Sequence, residues 1–170
     1  MRPKFIVDVN AGKVTKWLRA LGCDVLFVNP VDDDDLIAIA HRQGRTIITR
    51  DRGIPQRRSV TRRGVGVVLL KSASWREQMR QLITELGLMD SAAPFTRCME
   101  CNAPLEERER AWAQGKVPPY VYTTQRLFKE CPQCRKVYWR GTHWDRMCEE
   151  LEMGLSPLPG GSSDPHIASP

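Results

Sequence analysis

Two groups of residues in this chain have the types and spacing that chemistry would need. Four cysteines fall as two pairs, Cys98-x-x-Cys101 and Cys131-x-x-Cys134, with 29 residues between the pairs. Four thiolates in two such knuckles suit a tetrahedral Zn²⁺ in a closed structural site, because sulfur fills every position and leaves none for a reactive water. The second group is acidic: Asp8, the run Asp32 to Asp35, and Asp51. Carboxylates gathered in one place repel one another unless a cation sits among them, and a hard divalent ion with oxygen ligands answers that repulsion. Mg²⁺ or Mn²⁺ is the expected cofactor, with Asp8 and Asp51 as direct ligands. Ions held this way generate hydroxide, orient a phosphodiester and stabilise its leaving oxygen.

Each acid also has a plainer reading. Asp32 or Asp33 can cap a helix, and the acids beside it suit the positive end of the helix dipole. Asp8 and Asp51 can be ordinary turn residues. Around Asp51 stand Arg50, Arg52, Arg57, Arg58, Arg62 and Arg63, either a rim that grips phosphates through guanidinium forks or a solvated charge run. In Tyr138-Trp139-Arg140-Gly141-Thr142-His143-Trp144, aromatic residues interleave with a base and a histidine. That stretch, His143 included, suits stacking on RNA bases or packing against the metal knuckle.

The elements that must position these residues follow from hydrophobic spacing. Lys4 to Asp8, Asp24 to Val28, Thr46 to Thr49 and Val65 to Leu70 read as strands, and Thr46-Ile47-Ile48-Thr49 has the unbroken β-favouring character of a strand covered on both faces. Helical spacing marks Val14, Trp17, Leu18 and Leu21 as one face, with Trp17 read as core. Leu36, Ile37, Ile39 and Ala40 mark a second helix. Trp75, Met79, Leu82, Ile83 and Leu86 mark a third, begun at Ser74. Gly22, Gly44 and Gly87 are natural helix stops. Strands alternating with helices imply an α/β fold with a mostly parallel sheet flanked by helices on both faces. Ligands in such folds bind outside the carboxyl ends of the strands, and all three acidic sites fall there.

Composition bounds the function class. The 170 residues carry a formal net charge of +6, with 16 Lys/Arg against 10 Asp/Glu in residues 1–94 and 10 against 9 in residues 95–152. A basic surface with gathered acids fits a polyanion partner, although plain solubility charge accounts for a modest excess as well. No long apolar run or signal-peptide pattern is present, so no membrane partner is expected and the cytoplasm is the expected compartment. In that setting paired C-x-x-C spacing favours metal over disulfides. Cys23 reads as a small buried filler, and Cys148 carries no mark of reactivity. The composition divides the chain into residues 1–88, a linker at 89–96, a small metal-binding domain at 97–152 and a disordered tail at 153–170.

The stretches FIVDVNAGKVTKWLRALGCDVLFV and DDDDLIAIAHRQGRTIITRDR, with RCMECNAPLE, VPPYVY, CPQCRKVYW and GTHWDRM further on, resemble the Mut7-C family. That family joins a PIN-like ribonuclease domain to a zinc ribbon, and the resemblance covers nearly all of residues 4–147. It implies metal-dependent cleavage of RNA, single-stranded in the expected case, with Asp8, one acid of the cluster (Asp33, with Asp34 or Asp35 as alternatives) and Asp51 in the catalytic metal site and a structural zinc on the four cysteines. Gly12, Lys13, Trp17, Arg19 and Gly22 match the family's first helix, which adds Lys13 and Arg19 to Arg50, Arg52, Arg57, Arg58 and His143 as RNA-binding candidates. Arg52-Gly53 stand where many PIN domains carry a further acid or amide, which implies one metal held well and a second weakly. The competing reading is a non-catalytic module that binds RNA or a ribosomal partner.

Overall fold

A computed structural model describes residues 3–141 of the chain; His143, Cys148 and the segment expected to be a disordered tail lie outside the described residues. The chain folds as two compact units, divided after Asn102.

The first unit is built on four parallel strands, β1 (Lys4–Val7), β2 (Asp24–Phe27), β3 (Thr46–Thr49) and β4 (Val67–Leu69), in the order β2-β1-β3-β4. Parallel neighbours cannot be joined by a tight turn, so a helix carries the chain back between them. These are α1 (Val14–Ala20), α2 (Asp33–Gln43) and α3 (Arg58–Arg63), with α4 (Trp75–Leu86) following β4. The connection from β1 runs outward to β2, and the connection from β2 crosses back over β1 to reach β3. Strand order therefore reverses between β1 and β3, the place where open α/β sheets form their crevice.

Register and side-chain period decide what lies on each face. Ile6 pairs with Ile47, and both pack with Leu36, Ile37 and Ala40 of α2, Val60 of α3 and Ile54 in one buried cluster. Phe5, Val7 and Ile48 alternate with them along the strands and, being fully buried, serve the opposite face. There α1 packs against β2 and α4. The basic stretch after β3 is partly helical: Ile54–Gln56 makes a 3-10 turn and α3 follows. Buried Ile54 and Val60 anchor it, and Gly64 ends α3 in the left-handed conformation.

Gly22 shows why α1 ends where it does. Its φ is +86°, and a Cβ there would meet the Ala93 carbonyl oxygen at 2.2 Å. Only glycine allows the chain at Ala93 so close, and the Ala93 N–H donates to the Leu21 carbonyl at 2.9 Å.

The edge strand β2 is held by charge. The Asp24 carboxylate accepts from Arg45 Nη1 at 2.8 Å and Asn102 Nδ2 at 2.8 Å, and Arg97 approaches at 3.4 Å. The Asn102 side-chain oxygen in turn accepts from the Val25 N–H at 3.0 Å, standing in for a further strand at the sheet edge.

The second unit contains an antiparallel sheet of β5 (Glu106–Arg108), β6 (Phe128–Glu130) and β7 (Val137–Trp139). Between β5 and β6 lies the segment with Val117-Pro118-Pro119-Tyr120, which packs back onto the sheet. Val117 and Val121 of the turn and α5 (Pro119–Thr124) join Ala113, Phe128, Val137 and Trp139 in a buried cluster. Glu130, 2% exposed, receives Arg108 at 2.8 Å and Arg135 at 2.8 Å, so its charge enters the interior already paired.

Burial alone would raise the Asp24 pKa, but the hydrogen bonds from Arg45 and Asn102 and the charges of Arg45 and Arg97 outweigh it and hold the carboxyl below its ordinary value. A depressed folded-state pKa contributes stability that is full above the unfolded pKa and lost as pH falls through the folded one. Asp24→Ala should lower the unfolding free energy by about 1–3 kcal/mol at neutral pH. Denaturant titrations between neutral pH and pH 3 should show the gap between wild type and variant narrowing as the solution is acidified.

Candidate active site and metal centre

Asp8 follows β1 directly, and Asp51 follows β3 by two residues, so the parallel pairing of these neighbouring strands brings their exits together. Thr49, the last residue of β3, links them. Its hydroxyl donates to Asp8 Oδ2 at 2.6 Å and accepts from the Asp51 N–H at 2.9 Å. Asp8 and Thr49 are buried, whereas Asp51 is exposed and uses Oδ1 to accept from the Gly53 N–H at 2.7 Å. Nearby, the Asn10 side-chain oxygen accepts from the Arg50 N–H at 2.9 Å, fastening the loop after β1 to the loop after β3.

The run Asp32 to Asp35 stands at the start of α2. Asp32 is its cap, accepting from the Asp35 N–H at 2.8 Å, and the acids after it sit at the dipole's positive end. Asp33 and Asp34 are both taken by one guanidinium: Arg57 Nη2 lies 2.5 Å from Asp33 Oδ2 and Arg57 Nη1 lies 3.0 Å from Asp34 Oδ1. The acids thus share the carboxyl edge of the sheet. Among the described residues, however, the only group of three or more His, Cys, Asp or Glu side chains close enough to hold an ion is that of the four cysteines. Thr49 joins the Asp8 carboxylate to the Asp51 backbone N–H. Asp33, as found, is neutralised by Arg57.

The basic residues separate into two kinds. Lys13, Arg50, Arg52 and Arg58 are exposed and can meet a polyanion. Arg57 is turned onto the acids. Arg19, grouped above with the phosphate-binding candidates, is turned inward: only 7% exposed, it donates Nε and Nη2 to the Val25 carbonyl at 3.0 and 2.9 Å. Its Nη1 donates to the carbonyls of Met99 and Glu100 at 3.1 and 2.6 Å. Burial lowers its pKa below the ordinary value, against an upward pull from Cys98, Cys101 and Glu100. Hydrophobic spacing placed Arg19 on a helix, but its carbonyl partners some 80 residues away have no local signature.

The ligand-capable atoms of Cys98, Cys101, Cys131 and Cys134 all lie within 4.8 Å of one another. In each pair a backbone N–H turns back onto the first sulfur, Cys101 to Cys98 Sγ at 3.5 Å and Cys134 to Cys131 Sγ at 3.4 Å. Bonds of this kind stabilise thiolate, and the donor set fits a soft or borderline ion such as Zn²⁺.

A family model described as "Mut7-C RNAse domain" matches residues 3–151. The chain belongs to this family. Its fold, a PIN-like parallel sheet flanked by helices and followed by a cysteine cluster of zinc-binding type, agrees with that membership. No curated protein and no solved structure is similar enough to the chain to count as a match. No helix among the described residues is long and apolar enough to cross a membrane.

Elemental analysis of the purified chain should find one tightly held zinc ion per molecule. Cys131→Ser should carry none and should melt at a lower temperature, because metal binding free energy is folding free energy in so small a module.

Proposed function

We propose that this chain is a metal-dependent ribonuclease that hydrolyses phosphodiesters of single-stranded RNA at the carboxyl edge of its parallel sheet. The observation that carries this reading is the link Asp8–Thr49–Asp51, in which one hydroxyl bonds the Asp8 carboxylate and the Asp51 backbone N–H at the point where strand order reverses, in a member of an RNase domain family. Buried Asp8 is held by Thr49, and Asp51 is kept in place by the Gly53 N–H. Together with Asp33, once Arg57 moves to a phosphate, they would hold Mg²⁺ or Mn²⁺. What such an ion supplies when bound is an activated water and neutralisation of charge on the leaving oxygen. Arg50, Arg52 and Arg58 would grip the strand's phosphates without reading its sequence. The cysteine centre, with zinc, would be structural, and the module around it would help hold RNA, His143 included. Thiols paired for metal suit a reducing compartment, the cytoplasm.

A second reading draws on Arg57 and Asp32. With Asp32 capping α2 and Arg57 forked across Asp33 and Asp34, the acidic run is satisfied without an ion. The chain would then bind RNA or a ribosomal partner without cutting it.

Cleavage of end-labelled single-stranded RNA in Mn²⁺ separates the two. Asp51→Asn and Asp8→Asn should each lose more than the roughly 10–100-fold that removal of an outer partner costs a metal site, and Thr49→Val should fall within that range. Binding to RNA should persist or tighten in Asp51→Asn, since repulsion of phosphate falls. Wild-type protein that binds RNA but cuts none across a range of divalent metals would establish the binding module instead.

A further inference from the structure

The face of the first unit that carries α1 and α4 holds a feature the acidic edge does not use. Gly12, Lys13, Lys16, Trp17, Phe27 and Trp75 line a cavity of about 530 Å³, within the size range of small-molecule sites. Trp17 and Trp75 stack, with ring centroids 4.2 Å apart and planes 18° from parallel. The Arg76 guanidinium lies 4.6 Å from the Trp75 ring centroid. Expected from its helix face to be core, Trp17 is only half-buried, as are Phe27 and Trp75. Leu18 of α1 and Met79 and Leu82 of α4 are fully buried, so the interior beneath these helices is filled without the indoles. Three aromatic rings are left with surface open to solvent, and cations stand around them.

The cations differ in what they are free to do. Lys16 pairs with Glu100 at 2.7 Å. Lys13 is exposed and has no ion-pair partner among the described residues. Gly12 has its own reason to be glycine: a Cβ there would lie 3.1 Å from the Phe27 ring, so the missing side chain lets that ring sit against the cavity floor. Gly12 also lies four residues beyond Asp8, across a 3-10 turn in which the Ala11 N–H donates to the Asp8 carbonyl. Four residues span at most ~14 Å, so a single strand can touch both places.

We propose that this cavity is a nucleotide subsite in which a base of the RNA strand stacks on the aromatic walls while Lys13 meets the adjoining phosphate. The proposal rests on the reading of the chain as an RNA-binding protein. Stacking on aromatic faces is tolerant of base identity, and an ammonium beside the rings contributes the charge that a phosphate seeks. The subsite would hold the strand on the β1 side of the sheet and leave the scissile bond to the acids.

Affinity of the full chain for a fluorescein-labelled single-stranded RNA, measured by anisotropy with no added Mg²⁺ or Mn²⁺, tests this. Trp17→Ala should weaken binding by about tenfold or more, and Trp17→Phe should restore most of the loss. Lys13→Ala, an exposed position where folding is not at stake, should weaken binding and make the slope of log K against log salt shallower by about one. If Trp17→Ala and Lys13→Ala bind as the wild type does, the subsite is refuted while the ribonuclease reading stands. Wild-type protein that binds no RNA overturns both. A chain that binds a free mononucleotide through these residues, but RNA unchanged by their loss, refutes the strand as occupant.

Discussion

The parallel pairing of β1 with β3 is the contact on which the candidate active site depends. Phe5, Ile6 and Val7 lie beside Thr46, Ile47 and Ile48, and this register sets Asp8 level with Thr49. The Thr49 hydroxyl then serves both acids, donating to one and accepting from the backbone of the other. A slip of one residue would turn every side chain of β3 to the other face of the sheet. It would send Ile47 out of the cluster it shares with Ile6 and Leu36 and separate the acids together. Core packing and site geometry are thus two readings of one register, which couples the stability of the sheet to the placement of its carboxylates.

How much of this was legible in the sequence depends on the range of the interaction concerned. The β-favouring run at residues 46–49 and the helical spacing of Leu36, Ile37 and Ala40 announce their elements, because strand and helix periods are local properties. The cap at Asp32 was readable for the same reason. Two C-x-x-C pairs announce a thiolate cluster because few other structures need that spacing. Arg57 was not legible in this way. Its place in a basic run suggests phosphate, but α3 and the 3-10 turn before it bring the guanidinium to Asp33 and Asp34, 24 and 23 residues earlier. Trp17, read as core and found half-buried, was legible only in part for a related reason. Helical spacing shows that its side chain shares a face with Leu18 and Leu21, but not that Trp75 comes to lie over it at the rim of that face.

Charge is spent in this fold in two different ways. Where a charge is buried, as with Arg19 and Glu130, or half-buried, as with Asp24, it is surrounded by partners of the opposite sign or by carbonyl oxygens. Uncompensated, each would cost several kcal/mol. Where charge is left on the surface, around Arg50, Arg52 and Arg58, the excess is positive and lies beside the acidic edge. The net +6 of the chain is therefore not a uniform coating. It is weighted toward the unit that carries the acids, which would otherwise repel a polyanion.

Arg19 has one more consequence. By bonding the carbonyls of Met99 and Glu100 as well as that of Val25, with Asn102 bonded to Val25 and Asp24, it ties the turn bearing Cys98 and Cys101 to the parallel sheet's edge strand. Two of the four sulfurs thus sit on a turn fastened to the sheet, and an ion that bound there would meet two ligands whose ordering the sheet already shares. Thermodynamic linkage runs both ways. Whatever loosens β2 would weaken the grip on such an ion, and an ion held there would resist fraying of β2. A metal held by the four cysteines, remote from the acids in sequence, would thus act as a clamp on the sheet that displays them.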